Sequence, residues 1–148
     1  MIEKSLVLIK PDGVQRKLIG KIITRLENKG LKIVAMKYLQ VSDELAKKHY
    51  SVHEGKTFFD SLIEFITSSP IVAMVLEGEN AISLIRKIVG ATKPEESLPG
   101  TIRGDYAIST QHNLIHASDS IESSNYEISN FFKEEEIVNI KFSDKDWL

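Results

Sequence analysis

Ser5-Leu6-Val7-Leu8-Ile9-Lys10 is a continuous apolar run closed by Pro11-Asp12-Gly13. A run of this length between turn residues predicts a central strand that ends in a turn. Two further runs follow. Leu31 to Val41 alternates in part, as an edge strand does, and Ile71 to Leu76 is continuously apolar after Pro70. Segments with helical spacing lie between them. Leu18 to Lys29 carries Ile19, Ile22, Ile23 and Leu26 on one face and stops at Gly30. Ser42 or Asp43 is placed to cap a short helix to about Tyr50, and a further helix carries Phe58, Phe59, Leu62, Ile63 and Ile66. Asn80 opens a helix bearing Ile82, Ile85 and Ile88 before Gly90. From Ala91 to about Gln111 the periodicity fails, broken by Pro94, Pro99, Gly100 and Gly104, and a long functional loop is expected there. A fourth strand, Asn113 to His116, and a capped helix to about Phe132 complete the order. The architecture this order predicts is an α+β sandwich, one sheet of four strands with helices packed on it.

A chain of 148 residues suits one domain, residues 1–148, with a packed core of its own. A net charge of −2 without a basic block leaves no electrostatic footprint for nucleic acid, although a local basic pocket for one polyphosphate is compatible with it. Cysteine is absent, which excludes disulfides, thiolate metal sites and cysteine nucleophiles. No apolar run approaches the ~20 residues of a membrane span. Met1-Ile2-Glu3-Lys4 enters the first strand without a charged-then-apolar leader, so a cytoplasmic protein without membrane contact is expected.

The chemistry gathers around Asn113-Leu114-Ile115-His116-Ala117-Ser118-Asp119-Ser120. Ser118, Asp119 and Ser120 are helix-capping residue types, and Glu122 follows Asp119 at capping-box spacing. Ile121, Ile128 and Phe132 give the next helix an apolar face. A side chain at such a strand-to-helix junction meets ligands instead of core, and the helix start attracts anions. An imidazole beside an anion site points to phosphate chemistry and makes His116 the candidate nucleophile. His116, Ser118 and Asp119 match a hydrolase triad in composition only, because residues so close on one junction cannot take triad geometry.

Other segments supply cations. Lys10 ends the first strand at the rim of the sheet, while Arg86, Thr92 and Arg103 flank or occupy the long loop. Guanidinium forks and a compact hydroxyl suit phosphate oxygens. His49 and His53 have a spacing that zinc sites use, but Glu54 follows the second histidine and no third ligand stands near. Phe58 and Phe59 point about 100° apart on a helix, so one can pack inward while the other faces an aromatic base. Neither Gly-x-x-x-x-Gly-Lys-Ser/Thr nor Gly-x-Gly-x-x-Gly occurs, which excludes the two widespread phosphate-loop architectures.

With these residues assembled, the chain resembles the nucleoside diphosphate kinase family over essentially its whole length. The matching pieces are Lys10-Pro11-Asp12-Gly13-Val14-Gln15-Arg16, His49-Tyr50, and Gly55-Lys56-Thr57-Phe58-Phe59. They continue with Gly90-Ala91-Thr92, with Pro99-Gly100-Thr101-Ile102-Arg103-Gly104-Asp105-Tyr106, and with the His116 segment. The resemblance implies that His116 is phosphorylated during turnover and that Glu127 orients its ring, with Tyr50 and Ser118 completing its surroundings. It implies that Phe58 stacks on the base, that Lys10 and Asn113 reach the sugar and nearby phosphates, and that Arg86, Thr92 and Arg103 hold the polyphosphate. Substrates would be nucleoside tri- and diphosphates, with Mg2+ carried by the nucleotide and not by protein ligands. The implied fold is a ferredoxin-like sandwich with a four-stranded antiparallel sheet covered by helices, and the implied assembly is a homo-oligomer, tetramer or hexamer.

Two positions depart from the family pattern. Ala117 stands where glycine is usual, which matters only if that position needs a positive φ, and Thr57 stands where proline is usual, as a competent helix cap. Two rival readings use the same fold. A silent nucleotide-binding protein is disfavoured because His116, Glu127 and every implied phosphate contact are present. An RNA-binding domain would need a basic glycine-aromatic strand motif that the chain lacks.

Overall fold

The computed structural model describes residues 1–148 and is organised around β1 (Ile2–Ile9). Successive side chains of a strand point to opposite faces. On β1, Val7 and Ile9 enter one core and Leu6 and Leu8 enter another, all four with no solvent exposure. A strand covered on both sides has no polar face to alternate with, which explains the unbroken apolar run. β1 pairs antiparallel with β3 (Ile71–Glu79) on one side and β4 (Ile115–Ala117) on the other. β2 (Lys32–Leu39) pairs antiparallel with β3 and forms the edge that its alternation predicts, giving the order β2-β3-β1-β4. Helices α2 (Ile19–Asn28) and α5 (Ala81–Val89) cover one face. The other face is covered by α3 (Asp43–His49), α4 (Phe59–Thr67) and α7 (Ile121–Phe131). The result is the ferredoxin-like α+β sandwich. No helix is long and apolar enough to cross a membrane.

The boundaries depart from the sequence expectations where charge and backbone geometry replace apolar pattern. β1 begins at Ile2 instead of Ser5, and β3 continues past Leu76 to Glu79. These extensions are polar and are joined by Glu77, which bonds Lys4 on one side at 3.2 Å and Lys32 on the other at 2.9 Å. Pro11-Asp12-Gly13 is the start of α1 (Pro11–Gln15) and not a simple turn, because proline's fixed φ suits a first helical position. The segment expected to be structureless contains a 3-10 turn at Pro94–Glu96 and α6 (Ile102–Tyr106), whose start is capped by the Thr101 hydroxyl. Ser42 does cap α3, through the Leu45 amide. Asn80 precedes α5 in a left-handed conformation and makes no cap bond, and the Glu3 carboxylate accepts from the Ile82 amide in its place. Thr57 does not cap α4; Phe58 is the flanking residue there. Ser120, and not Asp119, caps α7 by accepting from the Ser123 amide, so the proposed Asp119–Glu122 box is absent. Ile121 is exposed, and the inward face of α7 runs through Ser124, Glu127, Ile128 and Phe131 instead.

Candidate active site

Strand parity delivers His116 to its partners. Ile115 and Ala117 belong to the core beneath α2 and α5, so His116 between them faces the opposite side, opposite Leu8 of β1. That side holds α7 and α3. Glu127, one turn after the buried Ser124, presents Oε1 at 2.9 Å from His116 Nε2. The Ser118 hydroxyl donates to the same oxygen at 2.6 Å, and Ser118 is itself fully buried against the Leu6 backbone. Burial disfavours the charged Glu127 carboxyl, but the bonds from His116 and Ser118 and the neighbouring imidazole charge outweigh it and hold its pKa below the usual range. An ionised Glu127 can only accept, so Nε2 is the nitrogen that donates to it, and in the neutral ring Nδ1 keeps the lone pair. Ala117 is not among the residues with positive φ, so the alanine-for-glycine departure introduces no backbone strain.

Aromatic rings extend from the histidine toward solvent. His49, at the end of α3, meets His116 edge to face with centroids 4.9 Å apart, and Tyr50 meets His49 at 4.7 Å. His53 follows at 6.4 Å from Tyr50, and Phe58 at 5.2 Å from His53. Phe58 is 45% exposed while Phe59 packs on the core, the division that their angular separation predicts. Burial, then the charge of Glu127, pushes the Tyr50 hydroxyl up to about 12. His49 and His53 lie on either side of Tyr50 in different surroundings: His49 is enclosed, and His53 Nδ1 lies 3.2 Å from Lys56 Nζ. No group of three or more metal-ligating side chains occurs.

The cationic side is built on a strained turn. Leu114 is wholly buried with φ of 75°, and the Ile115 amide donates to the Asn113 carbonyl across it at 2.9 Å, a γ-turn. A bulky residue in this region is an outlier that persists only when its surroundings impose it. Three contacts do so. The Asp12 carboxylate accepts from the Leu114 amide at 3.0 Å, the Lys10 amide donates to the Leu114 carbonyl at 2.8 Å, and Arg103 donates to Asn113 O and Ile115 O at 3.2 and 2.6 Å. Arg103 also donates to Gly90 O and Ala91 O, so one guanidinium ties the loop to β4. It is 4% exposed and so is not a surface side chain. Arg86 donates to Ala117 O at 3.1 Å. The two arginines therefore hold the carbonyls on either side of His116.

Lys10 and Asn113 meet at the same turn, Nζ to Oδ1 at 2.9 Å, and Asn113 also donates to Thr92 O at 3.2 Å. Burial, and then the charge of Arg103, lowers the Lys10 ammonium to about 8, against a partial opposing pull from Asp12. The structure thus gathers Lys10, Thr92, Arg103 and Asn113 around the start of β4 and Arg86 at its end, with His116, Glu127, Ser118 and Tyr50 beside them. Phe58 joins them only through the row of rings. Sequence reasoning missed Asp12 and His49. Asp12 sat in what read as a turn, and nothing in the sequence announces that its carboxylate holds a distant backbone amide.

Arg103→Lys should separate charge from geometry. A single ammonium cannot serve four carbonyls, and each buried carbonyl left unpaired costs about 1–3 kcal/mol. Urea unfolding should show a clear loss of stability with the charge retained; an unchanged midpoint would mean that the guanidinium bonds are dispensable. Lys10 gives a pH signature. Its folded pKa of about 8 lies below the ordinary 10.5, so between these values the unfolded chain binds a proton that the folded chain does not, and stability rises with pH. Lys10→Met removes the buried ammonium, so its stability relative to the wild type should be highest below pH 8 and fall toward pH 10.5. A pH-independent difference in denaturation midpoints would contradict this.

Comparison with known proteins agrees with the geometry. The family model described as nucleoside diphosphate kinase matches residues 3–137. A nucleoside diphosphate kinase of Archaeoglobus fulgidus is 54% identical over 147 residues, 99% of this chain and 97% of that one. One from Methanobrevibacter smithii is 59% identical, covering 97% of this chain and 96% of that one. Among solved structures, a halophilic nucleoside diphosphate kinase from Halobacterium salinarum in complex with CDP superposes with a TM-score of 0.96 at 48% identity, covering 99% of this chain and 98% of that one. With the histidine, its carboxylate and the surrounding cations in place on the same sandwich, the chain belongs to the nucleoside diphosphate kinase family.

Proposed function

We propose that this protein transfers the γ-phosphoryl group of a nucleoside triphosphate to His116 and then to a different nucleoside diphosphate. The observation that carries this reading is the 2.9 Å bond between His116 Nε2 and Glu127, which assigns the proton to Nε2 and leaves Nδ1 nucleophilic. In the first half-reaction the Nδ1 lone pair forms a bond to the γ-phosphorus while the bond from that phosphorus to the β–γ bridging oxygen breaks, releasing the diphosphate. The second half-reaction reverses these bonds with a new diphosphate. Glu127 stabilises the positive charge that the ring acquires. The loose transition state of phosphoryl transfer asks for positioning and charge, which Lys10, Arg86 and Arg103 supply, with the Thr92 hydroxyl and Asn113 as polar contacts.

Phe58 offers a π-face to any base, which favours tolerance of both purines and pyrimidines. A related structure was solved with CDP, a pyrimidine nucleotide. Magnesium fits this site as a companion of the phosphates. Glu127 Oε1 accepts from His116 and Ser118 and Asp12 Oδ2 from the Leu114 amide, no three side chains form a metal cage, and the neighbouring cations suit phosphate oxygens. Bound to those oxygens, magnesium would neutralise part of the charge in transfer.

The reading is tested by supplying a triphosphate and magnesium without an acceptor. His116 should carry one phosphoryl group, lost in acid, stable in base and returned as triphosphate when a diphosphate is added. Kinetics should be ping-pong, and His116→Ala should lose labelling and turnover while still binding nucleotide; appreciable transfer by that variant would sink the relay. A domain of residues 1–148 suffices for this chemistry, and we take it to assemble as a tetramer or hexamer. Trp147 and Leu148 are 87% and 75% exposed, apolar surface that a small monomer has little use for. Light scattering should give a mass several times 16.7 kDa, and a monomer at micromolar concentration would refute the assembly.

A further inference from the structure

His49 is the ring at the site to which the phosphotransfer reading gives no task. It is buried, 7% exposed, and its imidazole is enclosed by rings: His116 at 4.9 Å and 86°, Tyr50 at 4.7 Å and 62°, and Phe131 at 5.3 Å and 82°. Its Nδ1 is buried and has no hydrogen-bond partner. Its direct contact with the proposed nucleophile is the edge-to-face packing of the two rings.

That contact supplies something the other partners of His116 do not. A single hydrogen bond from Nε2 to Glu127 fixes where one nitrogen lies, but leaves the ring free to tilt about that bond. Ser118 restrains Glu127 and does not touch the ring's orientation. A second ring set at nearly a right angle blocks the tilt, because edge-to-face packing has a preferred geometry as well as a contact area. We propose that His49 is a positioning residue for the nucleophile, its imidazole wedged between Tyr50, Phe131 and His116 so that the Nδ1 lone pair of His116 keeps one direction. The proposal rests on His116 being the phosphate acceptor.

The wedge also has to stay uncharged. A protonated His49 would compete with His116 for the Glu127 carboxylate, the nearest anion. Burial, reinforced by His116 and by the charges of Lys10 and His53, opposes its protonation and outweighs the pull of Glu127, so its pKa falls to about 3. His49 is consequently neutral at pH values well above 3.

Three variants and three readouts test this. In His49→Ala the rate of His116 phosphorylation in a single turnover should fall about 10- to 100-fold, the scale of a small misplacement of a reacting group, while the dissociation constant of the nucleotide stays within about threefold. His49→Phe restores a neutral ring and should recover most of the rate. His49→Leu keeps bulk without a flat edge and should stay close to the alanine variant. Independently of any reaction, the ring C–H order parameters of His116 should be high in the wild type and fall in His49→Ala, with Nε2 protonated in both because Glu127 is retained. Wild-type phosphorylation rates in His49→Ala, or a phenylalanine variant as slow as the alanine one, would overturn the proposal. So would unchanged ring order parameters for His116 in His49→Ala. Should the wild type transfer no phosphate at all, the order-parameter comparison would still decide on His49, and only the phosphotransfer reading would have failed.

Discussion

The Leu114 backbone is held where a leucine does not go unaided. A residue in this region costs on the order of 1–3 kcal/mol, and the site rests on that conformation being enforced. The Asp12 carboxylate, the Lys10 amide and the Arg103 guanidinium all bond to the turn, and they arrive from the end of β1, from α1 and from α6. Turning the chain there places Asn113 beside Lys10 and starts β4 one residue later, which sets the parity that directs His116 toward Glu127. A slip of one residue would send His116 into the core beneath α2 and α5 and turn Ile115 or Ala117 toward the carboxylate.

The fold makes such a turn affordable by surrounding it with rigid elements. β1 is covered on both faces, and its last residues, Leu8 and Ile9, are the pairing partners of His116 and Ile115. The candidate nucleophile thus stands on a strand paired with the buried end of β1, while the groups around it come from helix ends and loops. Rigid support of this kind limits the reorganisation required when charge moves during reaction.

Much of this was legible in the sequence, and the remainder fails for identifiable reasons. The central strand, the edge strand and the helices α2 and α5 follow from apolar period and from Gly30 and Gly90 as stops. His116 stood out because an imidazole between an apolar run and capping residues is poorly explained as core. The polar ends of β1 and β3 were invisible because Lys4, Glu77 and Lys32 stabilise them by charge pairing across strands and not by burial. Helix α6 was missed because its five residues are too few to show a period, although Thr101 followed by Gly104 carries the cap. Asp12, Leu114 and His49 could not be read at all: their roles depend on which distant backbone or ring they meet, and local pattern holds no record of that.

Arg86 and Arg103 show how stability and function share the same groups here. Each donates to a carbonyl adjoining His116, Ala117 O in one case and Ile115 O in the other. Arg103 in addition joins the residues before the loop, Gly90 and Ala91, to the strand after it. Its burial lowers its pKa to about 10, with Arg86 the next cause, yet leaves it cationic at neutral pH. Two fixed guanidiniums so close together repel one another and lack a carboxylate partner, so their charge is left uncompensated by the protein. In the proposed reading a polyphosphate would compensate it, and the carbonyl bonds hold both cations in place for that task.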